Sequence, residues 1–266
     1  MQDTVRTQRA FYLGAAAMTA IVTALRALAL TLSLDPVSGY FTPNAALPLC
    51  YRILMGLACL AGILVPCLWL KGRVPTERAN PSLYSRCGAG LCALLFLLNF
   101  IAACMQKSTL LPSLVWLIGL LALLAATVYF TLQAAGVRVS STTTAVLGSL
   151  AILAVACLIA FTYFDVATPM NAPHKTELHV ALLAVMLYLL YELRDAVGIS
   201  LPRALTACTA LAFFFSATVG FSDLVATVAG VYTDPVYLAQ DLLLITFAVY
   251  IGARGAADCR MPTPQA

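Results

Sequence analysis

Runs of about 20 apolar residues recur along this chain, and few folds can hold them. A helix rises about 1.5 Å per residue, so one such run crosses the roughly 30 Å hydrocarbon core of a bilayer. In lipid, every backbone N–H and C=O must be bonded inside the segment, which a helix achieves and an open strand does not. Spans are read at Phe11–Leu34, Leu47–Leu70, Cys87–Met105, Leu111–Gly136, Thr144–Phe164, Thr176–Gly198, Leu201–Gly220 and Pro235–Arg254. The sixth and seventh meet near Gly198–Pro202, where Gly and Pro mark the break. Phe221–Tyr232 is apolar but short, and is read as a re-entrant or interfacial segment. The expectation is an all-α polytopic transmembrane helix bundle of about eight spans, a single domain over 1–266.

Composition excludes the alternatives. Of the 266 residues, 62% are hydrophobic and 10% charged, against about 45–50% and about 25% in soluble domains. The longest polar stretch, Lys71 to Arg86, is loop-sized and leaves no room for a soluble catalytic domain. No G-x-x-x-x-G-K-[ST] phosphate loop occurs, and neither do H-E-x-x-H or G-x-S-x-G. The first span is too long for a cleaved signal peptide and reads as a signal anchor.

Charge placement orients the bundle. With the N-terminus inside, Arg6, Arg9, Lys71, Arg73, Arg78, Arg86, Arg138, Arg194, Arg203, Arg254 and Arg260 fall in the cytoplasm, and only Lys107 and Lys175 outside. Both termini are therefore expected in the cytoplasm of a cell that holds the protein in its plasma (inner) membrane. The basic face suits anionic lipid headgroups. No basic stripe with interleaved aromatics exists, so nucleic acid is not an expected partner.

The nine cysteines lie mostly inside apolar runs, with no C-x-x-C pair, and read as small packing residues. Lysines occur only at Lys71, Lys107 and Lys175, all at span ends, which disfavours a retinal Schiff base. No cofactor is expected. Gly136 to Thr144 is a polar hinge between two sets of four spans. Asp35 is followed by Ser38 and Pro43, and Asp165 by Thr168 and Pro173, each after the first span of its half. This suggests a 4+4 pseudo-repeat, halves 1–136 and 140–266, of the kind transporters use to build sites at the repeat interface. An Asp with a later Pro is also ordinary turn chemistry.

Ionisable residues inside spans are costly and are functional candidates by default. Arg26, Arg52 and Asp241 qualify, at depths of roughly 8–12 Å below the outer boundary. The economical expectation is that the arginines pair with Asp241, leaving one positive charge for a small anionic solute. The structural counterpart is a salt bridge locking spans one, two and eight, with the second arginine snorkelling outward. Asp165, Lys175, His179 and Asp223 line the boundary above, so the outer half of the bundle is expected to be wet and the inner half dry. Tyr163 to His179 is the densest polar stretch, read as a gate or as a capped outer loop. Its Asp/His/Glu/His group matches no known metal spacing. Asp234 and Pro235 read as a helix start. Tyr188, Tyr191, Glu192, Arg194 and Asp195 read as an interfacial belt, and Asn99 as an interhelical hydrogen-bonding residue.

Asp35-Pro-Val-Ser-Gly-Tyr-Phe41, Phe164-Asp-Val-Ala-Thr-Pro-Met-Asn-Ala-Pro173 and Met186-Leu-Tyr-Leu-Leu-Tyr-Glu-Leu-Arg194 resemble segments of uncharacterised polytopic membrane proteins of anaerobic Gram-positive bacteria. The resemblance implies a bacterial plasma membrane and carries no activity.

Three function classes follow. The first is a small-solute transporter, or the membrane subunit of one, with an outward-facing site at Arg26, Arg52, Asp241, Asp165, Lys175 and His179. The second is a structural, assembly or sensory protein with a membrane-protein partner and no solute site. The third is a membrane-embedded enzyme acting on lipid headgroups through Asp165 and His174; the balance leans against an enzyme. The orientation has a direct test: a membrane-impermeant thiol reagent should label cysteines introduced at Asn44 and Asn171 in intact cells, and should miss those at Pro75 and Thr263. External labelling at Pro75 would reverse the assignment.

Overall fold

The computed structural model describes residues 2–35, 38–69, 81–105, 113–137, 139–165, 169 and 172–259. Lys71, Arg73, Arg78, Lys107, Arg138, Thr168, Asn171 and Arg260 lie outside the described residues, as do Pro75 and Thr263.

Eight α-helices follow in order: α1 (Gln2–Ser33), α2 (Ala46–Leu64), α3 (Leu83–Met105), α4 (Ser113–Ala135), α5 (Ser141–Phe164), α6 (Pro173–Ala196), α7 (Pro202–Val228) and α8 (Pro235–Asp258). All eight are long and apolar enough to cross a membrane. A π-helical turn, Val65–Trp69, continues α2; Pro66 within it has no N–H for a regular ladder. Among the described residues the β-structure is one isolated bridge, Leu34 to Phe41. The helix starts obey local rules. The Asp234 carboxylate accepts from Val236 N at 2.8 Å with Pro235 in the first turn, and the Ser140 hydroxyl accepts from Thr143 N.

One segment departs from the sequence reading. Phe221–Tyr232 does not form a separate re-entrant piece: α7 runs unbroken to Val228. Gly220 is a packing residue and not a break, because a Cβ there would lie 2.9 Å from the Asp241 carbonyl oxygen on α8. The helix ends later, at Gly230, whose φ is +77°. Gly230 N donates to Thr227 O at 3.0 Å and Val231 N to Ala226 O at 2.9 Å, a Schellman closure.

Helices α3, α4, α5, α6, α7 and α8 each pack on the next, and α8 returns to α3, closing a ring of six. Helix α1 leans on α7 from outside the ring, and α2 leans mainly on α1. Leu49, Ile53, Leu57, Leu60 and Leu68 of this outer stretch are exposed, as a lipid-facing helix requires. The ring is filled, not hollow. Phe96 stacks on Phe130 at 5.5 Å, and Phe247 meets both edge-on at 5.7 and 5.8 Å. Without a hydrophobic drive between helices in lipid, small residues that admit close backbones hold such bundles together. Gly88 on α3 does this for α8, since its Cβ would lie 2.8 Å from Tyr250 Cα. Asn99 adds a bond from Nδ2 to Ala239 O at 3.0 Å, joining α3 to α8 as its sequence position suggests.

For orientation, the end where α1 finishes and α2 begins is called distal, and the end where α1 begins is called proximal. The Gly contacts set a test. Gly88→Ala and Gly220→Ala should each cost about 1–3 kcal/mol through backbone overlap, read as a lower apparent Tm in detergent. Gly56→Ala, with open space around it, should leave the Tm unchanged or raise it.

Candidate functional site

The polar side chains that the apolar helices carry converge near the distal end. Arg26 sits about two turns before the end of α1 and is wholly buried. Its Nε meets Glu177 Oε2 at 2.5 Å, its Nη1 meets Asp223 Oδ1 at 2.6 Å and its Nη2 donates to Asp223 Oδ2 at 3.3 Å. Nη1 also donates to the Ser222 hydroxyl and to Val219 O. Glu177 stands in the opening turns of α6, where the helix dipole favours an anion, and its Oε1 accepts from the Tyr51 hydroxyl of α2 at 2.7 Å. Four helices are thus tied to one guanidinium and its partners.

The arrangement corrects the expected pairing. Asp241 does not bind either arginine: Arg26 is taken by Glu177 and Asp223. Arg52 is exposed, its guanidinium carbon 5.3 Å from the Phe41 ring centroid and 5.9 Å from that of Tyr51. Its helix turns it away from the bundle, so equal depth does not bring it to Asp241. Asp241 is itself 1% exposed, and its Oδ1 has no hydrogen-bond partner.

Next to Asp223 stands His174, its Nδ1 3.0 Å from Asp223 Oδ2. The imidazole is wedged between Tyr232 and Tyr237, with ring centroids at 4.6 and 4.7 Å. Its Nε2 and the Tyr232 hydroxyl are buried without partners. Burial, with the Asp223 carboxylate nearby, holds the Tyr232 phenol above its usual range, so it remains a neutral hydroxyl. His174, Asp223 and Asp241 each bring one donor atom to within 4.8 Å of the others. This trio, drawn from α6, α7 and α8, is able to hold a metal ion, in place of the sequence-local Asp/His/Glu/His group.

The remaining sequence candidates form a layer around this centre. Asp165 accepts from the Tyr237 hydroxyl at 2.9 Å, and its backbone carbonyl accepts from Lys175 Nζ at 2.7 Å. Lys175 is covered. Asp165 and His174 share Tyr237 as a neighbour, the first through its hydroxyl and the second through its ring. His179 is half-buried beside Tyr163, its ring centroid 6.3 Å away and its Nε2 without a partner. Sequence reasoning missed Glu177 and Asp223 as the partners of Arg26. The signal was present: Val219, Ser222, Asp223 and Ala226 continue one helical face past Gly220.

Among the described residues, the charged centre of the distal half is covered. Arg26, Lys175 and Asp223 are all 0% exposed. An apolar cavity of about 410 Å³ lies toward the proximal end among Phe11, Met18, Ala58, Gly62, Leu211 and Phe214. Nor is the proximal half free of buried charge. Glu192, expected at the interface, is 5% exposed, accepts from the Tyr250 hydroxyl at 3.0 Å and meets Arg254 Nε at 3.3 Å. Arg194 remains beside Tyr191, 5.8 Å from its ring centroid.

In comparisons with protein-family models, curated proteins and solved structures, none matches this chain. Its role must be argued from this geometry. Arg26→Met leaves Glu177 and Asp223 facing each other without a cation, a change expected to cost about 3–5 kcal/mol and to lower the Tm sharply in detergent. Adding Glu177→Gln and Asp223→Asn to that variant should restore most of the loss. Arg52→Met should leave the Tm within experimental scatter.

Proposed function

We propose that this protein is a cation-dependent membrane transporter, with the buried distal cluster as its ion site. One observation carries the reading. Three buried carboxyl groups, Glu177, Asp223 and Asp241, cluster around one buried guanidinium, so with all three ionised and His174 neutral two negative charges would be left over. Uncompensated charge in a low-dielectric interior is too costly to stand, and protons or a cation are what neutralise it. The balance is the reverse of that expected from the sequence, where two arginines against one aspartate left room for an anion. An anionic solute would then meet the exposed Arg52 at the rim, since Lys175 is covered and Arg26 is neutralised by its partners.

The ring of six helices supports the same reading. It carries ionisable groups at both ends, Asp241 and His174 distally and Glu192 and Arg254 proximally, with Phe96, Phe130 and Phe247 between them. We take this as a closed state whose passage the rings block. We place the protein in a bacterial plasma membrane with both termini cytoplasmic and the distal end outward.

A second reading, an assembly or sensory protein without a solute site, is favoured by the covered state of Arg26 and Asp223 and by the apolar lining of the 410 Å³ cavity. Flux separates the two. Purified protein in liposomes carrying dyes for protons, sodium or divalent cations should dissipate at least one imposed gradient faster than empty liposomes. Asp241→Asn should slow that flux at least tenfold. Rates equal to empty liposomes for all three ions would favour the assembly reading.

A further inference from the structure

We infer that His174, Asp223 and Asp241 form a binding site for a divalent first-row transition-metal ion. The inference rests on the cation-dependent reading above and names the ion.

The geometry comes first. One donor atom from each residue lies within 4.8 Å of the other two. Ligands about 2.1 Å from a common metal lie roughly 3.0 Å apart when adjacent and roughly 4.2 Å apart when opposite. The 3.0 Å between His174 Nδ1 and Asp223 Oδ2 is the spacing of an adjacent pair. The three residues come from α6, α7 and α8, so the tertiary fold creates the grouping and no local motif does.

Unsatisfied atoms are the second, independent observation. Asp241 Oδ1 and the Tyr232 hydroxyl are both buried without a hydrogen-bond partner, while Asp241 is 1% exposed. Buried polar groups are nearly always satisfied, and a bound ion is one of the species that satisfies those without a protein partner. A cation bound by the Asp241 carboxylate would supply its missing partner, and the Tyr232 hydroxyl is a further neutral oxygen at the same place.

Charge is the third. Metal binding requires ionised carboxylates and a neutral imidazole, and in that state one divalent ion balances the two negative charges left by Arg26, whereas a monovalent ion leaves one. Arg26 does not forbid a cation, because Glu177 shares its charge and its bonds to both Asp223 oxygens hold that carboxylate in place, as supporting groups do for metal ligands. One imidazole with two carboxylates suits manganese, iron or zinc. It suits magnesium less, since that ion prefers oxygen ligands and retained water.

The test uses Mn²⁺, which the nine cysteines bind weakly and whose paramagnetic spectrum reports binding directly. Full-length protein in detergent is titrated with Mn²⁺, followed by the loss of the free-ion signal, with Mg²⁺ in excess to occupy nonspecific sites. The expected result is one saturable site per chain, weakened about a hundredfold or more in Asp241→Asn and in His174→Gln, and unchanged in Glu192→Gln. Absence of a saturable site in the wild type, or a site that persists in both Asp241→Asn and His174→Gln, would overturn the inference. Since the wild-type stoichiometry decides by itself, poor folding of a variant does not shelter the proposal. Saturable Mn²⁺ binding with no flux in liposomes would keep the site and remove the transporter; proton or sodium flux with no Mn²⁺ site would do the opposite.

Discussion

A guanidinium inside a membrane is tolerable only where protein supplies everything that water would have supplied, and Arg26 sets that demand on the whole distal end. It takes both oxygens of Asp223, one oxygen of Glu177, the Ser222 hydroxyl and a backbone carbonyl. Meeting it requires α6 to begin and α7 to finish at the depth where Arg26 emerges from α1. It also explains why α7 carries Ser222 and Asp223 within its last two turns. Tyr51 then binds the remaining oxygen of Glu177, so even the lipid-facing α2 is fixed by this one cation.

The same demand leaves a remainder. Arg26 satisfies Glu177 and Asp223 but not Asp241, which Gly220 brings close to α7 by letting the backbones of α7 and α8 nearly touch. The fold thus gathers three carboxyl groups around one guanidinium, in a buried part of the bundle. A structural lock alone would need one carboxylate per guanidinium. The excess is what turns a stabilising interaction into a candidate site, and the tight glycine contacts are what keep it from relaxing apart.

The spans were legible because apolar length is a one-dimensional property. Every helix lies where a run of apolar residues lies, and Asp234–Pro235 marks the start of α8 as its chemistry implies. Nearness along the bundle was legible for the same reason: Arg26 and Asp241 both lie beside Asp223. Direction around the helix was not. Arg52 has the depth of Arg26 but points out of the bundle, and only packing decides which. Acids near span ends were also undervalued. Glu177 and Asp223 read as boundary residues because a sequence shows the distance to a helix end but not whether a neighbouring helix covers it. Gly220 was ambiguous in itself, since a glycine that ends a helix and one that admits a neighbour look alike in a sequence.

The wide separation of the partners along the chain has a consequence for biogenesis. Glu177 and Asp223 lie 151 and 197 residues after Arg26. At about 5–20 residues per second, the first helix waits on the order of ten seconds or more before either partner is made. Throughout that interval its arginine lacks both of its final partners. The nascent α1–α2 hairpin must therefore stay shallow, or stay with the insertion machinery, until α6 and α7 are complete. Final seating of the first helix is then among the last steps of assembly, and chain order and folding order run in opposite directions.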